Sequence, residues 1–356
     1  MKRILLSIIL LVALSMVISS EIDHTDQVRK ILDSFMDSKP KELFKIWHLL
    51  YKRQYTFDSE EAKLRFKNFK INLAIVKETN QQNLGYKFGL NQFSDLSKEE
   101  FTETYTTRRP NLNLEQDIAE FNKNLGFLAN QEDDDDLTKR NLQMVNIDYT
   151  KLFLGARNQG TCNSCWTFAT TGVIEGNMAK KLGSPISYLS PQQLVDCDPS
   201  NSGCNGGNPY KALTYLQTAG VMQDKDYPYT SKKGTCAFDD KKTAKIVKGI
   251  EYCSNYTTKK CTTELFYSLL ARGPLSIGID GNAVQGYTNG IFLGACNSDN
   301  HAVVAIGYGT EGGKSYWIVR NSWGPSWGEK GNLRVLSNLS NKYSCFVENE
   351  GMLPIV

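Results

Sequence analysis

Histidine is scarce in this 356-residue chain: His24, His48 and His301 are the whole supply. Any imidazole chemistry beyond residue 48 therefore has to use His301. Cysteine is missing until Cys162, and nine are then placed as far as Cys345. No long basic block exists and the formal net charge is only +3, which argues against nucleic acid as a partner. Long apolar runs are missing too, apart from one at the start. Lys2 and Arg3 precede a run from Ile4 to Ile18, followed by Ser19 and Ser20. A basic flank, an apolar stretch short for a bilayer span and a small-residue end read as a secretory signal peptide over residues 1–20. After its removal the chain is expected off the membrane, on a route where disulfides persist. Nine cysteines cannot all pair, so at least one thiol needs another explanation.

The remainder has ordinary globular composition, 40% hydrophobic and 22% charged, with room for more than one folding unit. Residues 21–107 are rich in Lys and Glu, lack cysteine and have helical periodicity. From Glu60 to Asn80, the residues Leu64, Phe69, Leu73 and Val76 recur at spacings that suit an amphipathic helix. Residues 108–140 are polar and contain Asp133 to Asp136, then Lys139 and Arg140. That run reads as a solvated linker, or as an acid-sensitive processing region. Residues 141–356 form a unit of domain size. A helical pattern starts at Cys165, carries Trp166, Ala169, Val173 and Met178, and meets a C-cap at Gly183. Pro274 to Ile279, Ala302 to Ile306 and Tyr316 to Val319 are short strand-like runs.

A thiol becomes a strong nucleophile when deprotonated, and a helix N-terminus and a nearby imidazolium both favour the thiolate. Cys165 stands where the helical pattern begins, and Cys162 three residues earlier makes a Cys-x-x-Cys pair. Zinc would need two further ligands at similar spacing, and the other cysteines are dispersed. A redox motif would follow a strand in a βαβ unit, which this region lacks. His301 heads a strand that runs to Tyr308, and Gly309 to Gly313 reads as a turn before a return strand. A hairpin symmetric about Glu311 puts His301 opposite Asn321, about 5 Å apart at Cβ. Asn321 could then hold the imidazole, with Trp323 and Trp327 excluding water. Gln159, six residues before Cys165, could join the Cys165 backbone N–H in stabilising an oxyanion.

The run from Gln159 to Trp166, His301-Ala302-Val303 before Gly307-Tyr308-Gly309, and Asn321-Ser322-Trp323-Gly324 before Trp327-Gly328 resemble the three catalytic motifs of papain-like cysteine proteases. In the first part of the chain, Glu61, Arg65, Phe69, Asn72, Val76 and Asn80 resemble the helical signature of cathepsin L-like propeptides. Gly89, Asn91, Phe93 and Asp95 resemble their second motif. The resemblance implies an α+β papain-like fold of two domains, one helical and one an antiparallel β-barrel-like domain, preceded by an α-helical inhibitory propeptide. It implies a cysteine endopeptidase with catalytic Gln159, Cys165, His301 and Asn321, no cofactor and no metal. The same comparison pairs Cys162 with Cys204, Cys197 with Cys236 and Cys296 with Cys345. Cys253 and Cys261 are left as an additional local pair, and Cys165 is the free thiol.

The resemblance further implies that Gly206 and Gly207 line the cleft. Asn208, Pro209, Gly278, Ala302 and Glu350 should surround the pocket for the second residue before the scissile bond. A carboxylate at Glu350 could pair with Arg or Lys there; the plainer alternative has it pointing to solvent. Asn163 stands where the family pattern has glycine, and Tyr149 where it has Trp. Asn255 and Asn338 head glycosylation sequons. The expected product is a monomer acting on polypeptides, inhibited by its own propeptide. It is expected in a lysosome- or phagosome-like acidic compartment or outside the cell, and activated at acidic pH. The competing class is a catalytically silent, disulfide-stapled binding protein on the same fold.

Overall fold

The computed structural model describes residues 21–106, 144–253, 261–337 and 345–356, with side chains from Gln27 onward. The expected signal peptide over 1–20, the Asp133–Asp136 run with Lys139 and Arg140, and the sequons at Asn255 and Asn338 lie outside the described residues. Among the described residues no helix is long and apolar enough to cross a membrane.

The first unit contains α1 (Glu21–Ser34), α2 (Pro40–Leu50), α3 (Glu60–Gln81), the short strand β1 (Tyr86–Phe88) and α4 (Lys98–Tyr105). Ser59 caps α3 by accepting from the Ala62 N–H, and Glu60 and Glu61 suit its positive end. The buried stripe of α3 is Ala62, Phe69, Leu73 and Val76, of which Phe69 and Leu73 pack with Phe44 and Trp47 of α2. Leu64, expected on that stripe, is instead 51% exposed. Five residues turn a helix through about 500°, so Leu64 stands well off the face that Phe69 defines. Ala62, seven residues before Phe69, takes the place instead. Ser97 and Glu100 form a capping box on α4.

The second unit starts with β2 (Ile147–Asp148) and the long helix α5 (Cys165–Leu182), then α6 (Pro191–Cys197) and α7 (Pro209–Ala219). β3 (Val221–Met222) pairs with β4 (Thr243–Ala244) in a small separate sheet. There follow β5 (Gly249–Cys253), α8 (Thr263–Arg272), β6 (Leu275–Ile279), the short α9 (Gly281–Val284) and β7 (Tyr287–Phe292). The rest is β8 (His301–Glu311), β9 (Lys314–Arg320), β10 (Asn332–Leu336) and β11 (Gly351–Ile355). α5 is buried on nearly every face as far as Ala179, and Gly183 ends it with φ 74°. It can thread so closely because of Gly176, where a Cβ would come within 2.4 Å of the Phe153 ring.

The main sheet runs β1-β7-β10-β9-β8-β6-β11-β5, with β2 added against β8. The class is α+β, but the barrel-like antiparallel domain is corrected on two points. The strand path is open, and β10, which lies between β7 and β9, is parallel to β7 and antiparallel to β9. The strand at the β7 edge is β1, which the first unit supplies.

The hairpin register also differs from expectation. Gly312 and Gly313 have φ 57° and 76°, so the turn is a two-residue one that needs positive φ at both central positions. Pairs such as Glu311 with Lys314 and Gly309 with Tyr316 follow from it. An irregularity between Ala305 and Gly307 then shifts the ladder by one, pairing Val304 with Arg320. His301 is therefore not directly across from Asn321, which lies just beyond the end of β9.

Candidate active site

Cys165 is the first residue of α5, fully buried, and the cysteine outside the disulfides among the described residues. The other eight cysteines form the pairs Cys162–Cys204, Cys197–Cys236, Cys253–Cys261 and Cys296–Cys345. Bridging Cys162 removes the Cys-x-x-Cys pair as a zinc or redox unit. Behind Cys165 the packed cluster that contains Trp166 and Ala169 also takes in Ala302 and Val304 of β8. The nucleophile candidate and the histidine strand thus share one core.

His301 is buried and stacks on Trp323, with ring centroids 4.5 Å apart. Its Nε2 lies 2.7 Å from Asn321 Oδ1. The Ser322 N–H donates to that same oxygen at 2.7 Å, which identifies the atom as an acceptor. Nε2 must therefore carry the proton and donate. The Asn321 backbone N–H donates to Gly331 O at 2.9 Å, fixing the residue after it leaves the strand. Trp323 and Trp327 are buried edge to face, 5.0 Å apart, and cover this bond from water. The juxtaposition expected from a symmetric hairpin is present, but through the chain turn after Arg320 rather than through cross-strand register.

Gln159 is held from four sides. Its backbone N–H donates to Ser322 O at 2.8 Å, and its Oε1 accepts from Ser322 Oγ at 2.8 Å. The Tyr229 hydroxyl donates to its carbonyl at 2.7 Å and also meets Ser164 Oγ at 2.6 Å. With the oxygen of the amide used by Ser322, Nε2 points its hydrogens at Cys162 O, 3.2 Å away, and at Tyr105 O of the first unit, 3.4 Å away. Ser322 stands in the asparagine motif with no role expected of it, and Tyr229 stands in none of the motifs. Each acts on Gln159 across a long stretch of chain, and no local spacing signals that.

The first unit closes the site. Phe93 and Phe101 stand edge to face with Trp323 at 5.4 and 5.2 Å. Gln92 Nε2 donates to Trp323 O at 2.8 Å, and Asn91 Nδ2 to Gln285 O at 2.7 Å. A Cβ on Gly89 would lie 2.8 Å from Thr288 Cγ2, so a side chain there would have to displace Thr288. Arg29 of α1 donates to Gly328 O at 3.0 Å. Asn72 Nδ2 donates to both Ser94 O and Leu96 O at 2.9 Å, tying α3 to the segment that covers the site. Asn80 brackets Phe88 through its N–H and C=O, and Asp95 accepts from Arg53 and Tyr55.

The residues expected around a substrate pocket fall in three places. Gly206 (φ 100°), Gly207, Asn208 and Pro209 lead into α7. A Cβ on Gly207 would strike the Trp166 ring at 2.6 Å. Asn208 is buried and its side-chain oxygen caps α7 by accepting from the Tyr210 N–H. Gly278 and Ala302 are paired across β6 and β8. Glu350 precedes β11, is buried rather than in solvent, and accepts from the Tyr252 hydroxyl at 3.1 Å. Tyr252 packs on Tyr210, with ring centroids 6.2 Å apart, and so links Glu350 to the start of α7. Tyr252 carried no sequence signal, since one tyrosine in a β-strand is ordinary.

Residues 146–355 match the family model of the papain family cysteine protease, and residues 44–101 that of the cathepsin propeptide inhibitor domain. Cysteine protease XCP2 of Arabidopsis thaliana is 35% identical over 349 residues, 95% of this chain and 92% of that protein. A viral cathepsin of Adoxophyes honmai nucleopolyhedrovirus is 37% identical over 311 residues, 86% and 88% of the two chains. Among solved structures, digestive procathepsin L 3 of the Tenebrio molitor larval midgut superposes with TM-score 0.71 at 29% identity. It covers 90% of this chain and 100% of its own.

Proposed function

The chain belongs to the papain family of cysteine proteases and carries its propeptide inhibitor in cis, and from that premise we propose that Cys165, His301, Asn321 and Gln159 form a working endopeptidase centre. The observation that carries the reading is the 2.7 Å bond from His301 Nε2 to Asn321 Oδ1. With Nε2 committed, Nδ1 is the ring nitrogen that exchanges a proton with the Cys165 thiol. The thiolate, favoured by the α5 N-terminus, attacks the peptide carbonyl and forms a C–S bond. The oxyanion takes hydrogen bonds from Gln159 Nε2 and the Cys165 backbone N–H. The C–N bond breaks as the imidazolium protonates the leaving amine. Water, giving a proton to His301, then cleaves the thioester and releases the carboxylic acid.

In this reading residues 1–20 are the signal, 21–107 the inhibitory domain, 108–140 its removable tail and 141–356 the peptidase. The enzyme works as a monomer on polypeptides, in an acidic compartment of the secretory route or outside the cell. Tyr105 O lies on the Gln159 amide, the donor the oxyanion would need, which supports inhibition by occupation. Glu100 holds Arg65 at 2.9 Å and completes the α4 capping box, so both ties must break for this segment to leave the cleft. Asp95 opposes release by acid. Burial, partly offset by Arg53, raises its pKa, so the folded propeptide gains from acid at that residue. The test is casein hydrolysis by acid-treated precursor beside its Cys165→Ser variant. The expected result is hydrolysis that depends on acid treatment and on the thiol; a precursor that stays inert would support the silent binding protein.

Glu350 is proposed as the floor of the pocket for the second residue before the scissile bond, its carboxylate oriented by Tyr252. A charged acceptor there favours Arg over Phe. Glu350→Ala is expected to lower the Arg-to-Phe ratio of kcat/KM on dipeptide reporters by about tenfold. An unchanged ratio would remove the proposal.

A further inference from the structure

The residue two places before Cys165 breaks the family pattern: Asn163 stands where that pattern has glycine. Its φ is not in the left-handed region, so an L side chain sits there without backbone strain. Its frame is fixed. The Asn163 N–H donates to Cys204 O at 3.2 Å, the residue bridges to Asn205, and the preceding Cys162 is cross-linked to Cys204. The side chain is mostly buried and its Nδ2 donates to Thr106 O, a carbonyl of the propeptide. The neighbouring carbonyl, Tyr105 O, is the one on Gln159 Nε2. Thr106 and His301 both close on Gly281. A Cβ built on Gly281 would lie 2.8 Å from Thr106 Cγ2 and 2.9 Å from His301 Cβ.

Two adjacent carbonyls of the inhibiting segment therefore sit on two adjacent side-chain amides of the cleft. The Tyr105 carbonyl occupies the Gln159 donor that the oxyanion would use in the proposed mechanism. The Thr106 carbonyl marks a second acceptor site about one residue away. We propose that Asn163 is a specificity-determining residue, donating from its side-chain amide to an acceptor on the side chain of the substrate residue that precedes the scissile bond. A glutamine fits: its side-chain carbonyl can reach a donor one residue's length from the scissile carbonyl. A thioether of similar length offers a weak acceptor. Because the Asn163 backbone is already immobilised, little further ordering opposes the bond. A glycine here could make no such contact.

The proposal rests on the protease reading above, and the experiment separates the two. The full precursor, its Asn163→Gly variant and its Asn163→Asp variant are acid-activated. Each is assayed on reporters that differ only in Gln, Met or Lys before the cleaved bond. Asn163→Gly is expected to lower the Gln-to-Met ratio of kcat/KM by about five- to tenfold. Asn163→Asp is expected to lower it further and to raise the Lys-to-Met ratio, since the new carboxylate accepts and cannot donate. A purely structural role would change all reporters alike and leave both ratios flat, and that result overturns the proposal. Wild-type protein that cleaves no reporter overturns the protease reading itself, and the proposal with it.

Discussion

His301→Ala is expected to lower kcat/KM of the activated enzyme on peptide reporters by about 10³-fold or more. The magnitude follows from two jobs carried by one ring. In the proposed mechanism His301 takes the thiol proton and later delivers it to the leaving amine, and no other histidine exists beyond residue 48. Its orientation is fixed by the Asn321 bond and by the Trp323 face at 4.5 Å. Its tautomer is set by the Asn321 oxygen, which accepts from Nε2 and from the Ser322 N–H together. The variant loses the acid for the leaving group and the charge partner of the thiolate at once. A loss smaller than tenfold, with the fold shown intact by its disulfides and melting temperature, would place the proton chemistry elsewhere.

The second large effect concerns stability and pH. Glu175 lies in α5, buried at the seam between helix and sheet, beside a void of about 30 Å³ lined by Arg157, Ala302, Val304, Arg320 and Asn321. Its Oε1 accepts from the Leu189 N–H at 2.8 Å. Burial raises its pKa to about 7. The Leu189 bond, Arg157 and Arg320 pull it down, and Asp224 pushes it up. Arg157 is shared with Asp224 at 2.5 Å, and Arg320 is spent on Leu154 O and Gly155 O, so neither cation is devoted to the carboxylate. Between the unfolded value of 4.5 and about 7 the native state holds a proton that the unfolded chain has lost. Stability from this group is therefore fully present below pH 4.5 and disappears as pH rises through 7. The span corresponds to about 3 kcal/mol. In a Cys165→Ser background, which prevents self-digestion, the urea midpoint should fall from pH 5 to pH 8. Glu175→Gln, which keeps an acceptor for Leu189, should flatten that slope. An equal slope in both proteins would contradict the assignment. A native state stabilised by acid suits the acidic setting proposed for the enzyme.

Much of this was legible because the signals were local. The helix from Cys165 to Leu182 follows from its apolar pattern and the glycine at its end. Cys165 stands out as the odd thiol at a helix start, and His301 stands out by the scarcity of its kind. Long-range geometry was not legible. The hairpin turn needs positive φ at two adjacent residues, which Gly312 and Gly313 provide, and the irregularity near Ile306 is invisible in a list of β-formers. One residue of register would have separated His301 from Asn321 if pairing alone had joined them. Ser322 steadies Gln159 across 163 positions, and Tyr252 reaches Glu350 across 98. Such contacts depend on how two halves of a chain pack, and packing is decided by shape over the whole core. Asn163 is an intermediate case. Its departure from the family pattern was readable, but its bond to Thr106 required the propeptide to be in place.

The central claim is that a single thiol, Cys165, performs the hydrolysis once the propeptide leaves the cleft. The most direct measurement is the release of soluble peptides from casein by acid-treated precursor, run beside the Cys165→Ser protein at equal concentration. Turnover by the wild type is expected, with a rate lower by about 10³-fold or more in the variant. Equal rates in the two proteins, or no turnover from a wild type whose propeptide has been removed, would contradict it.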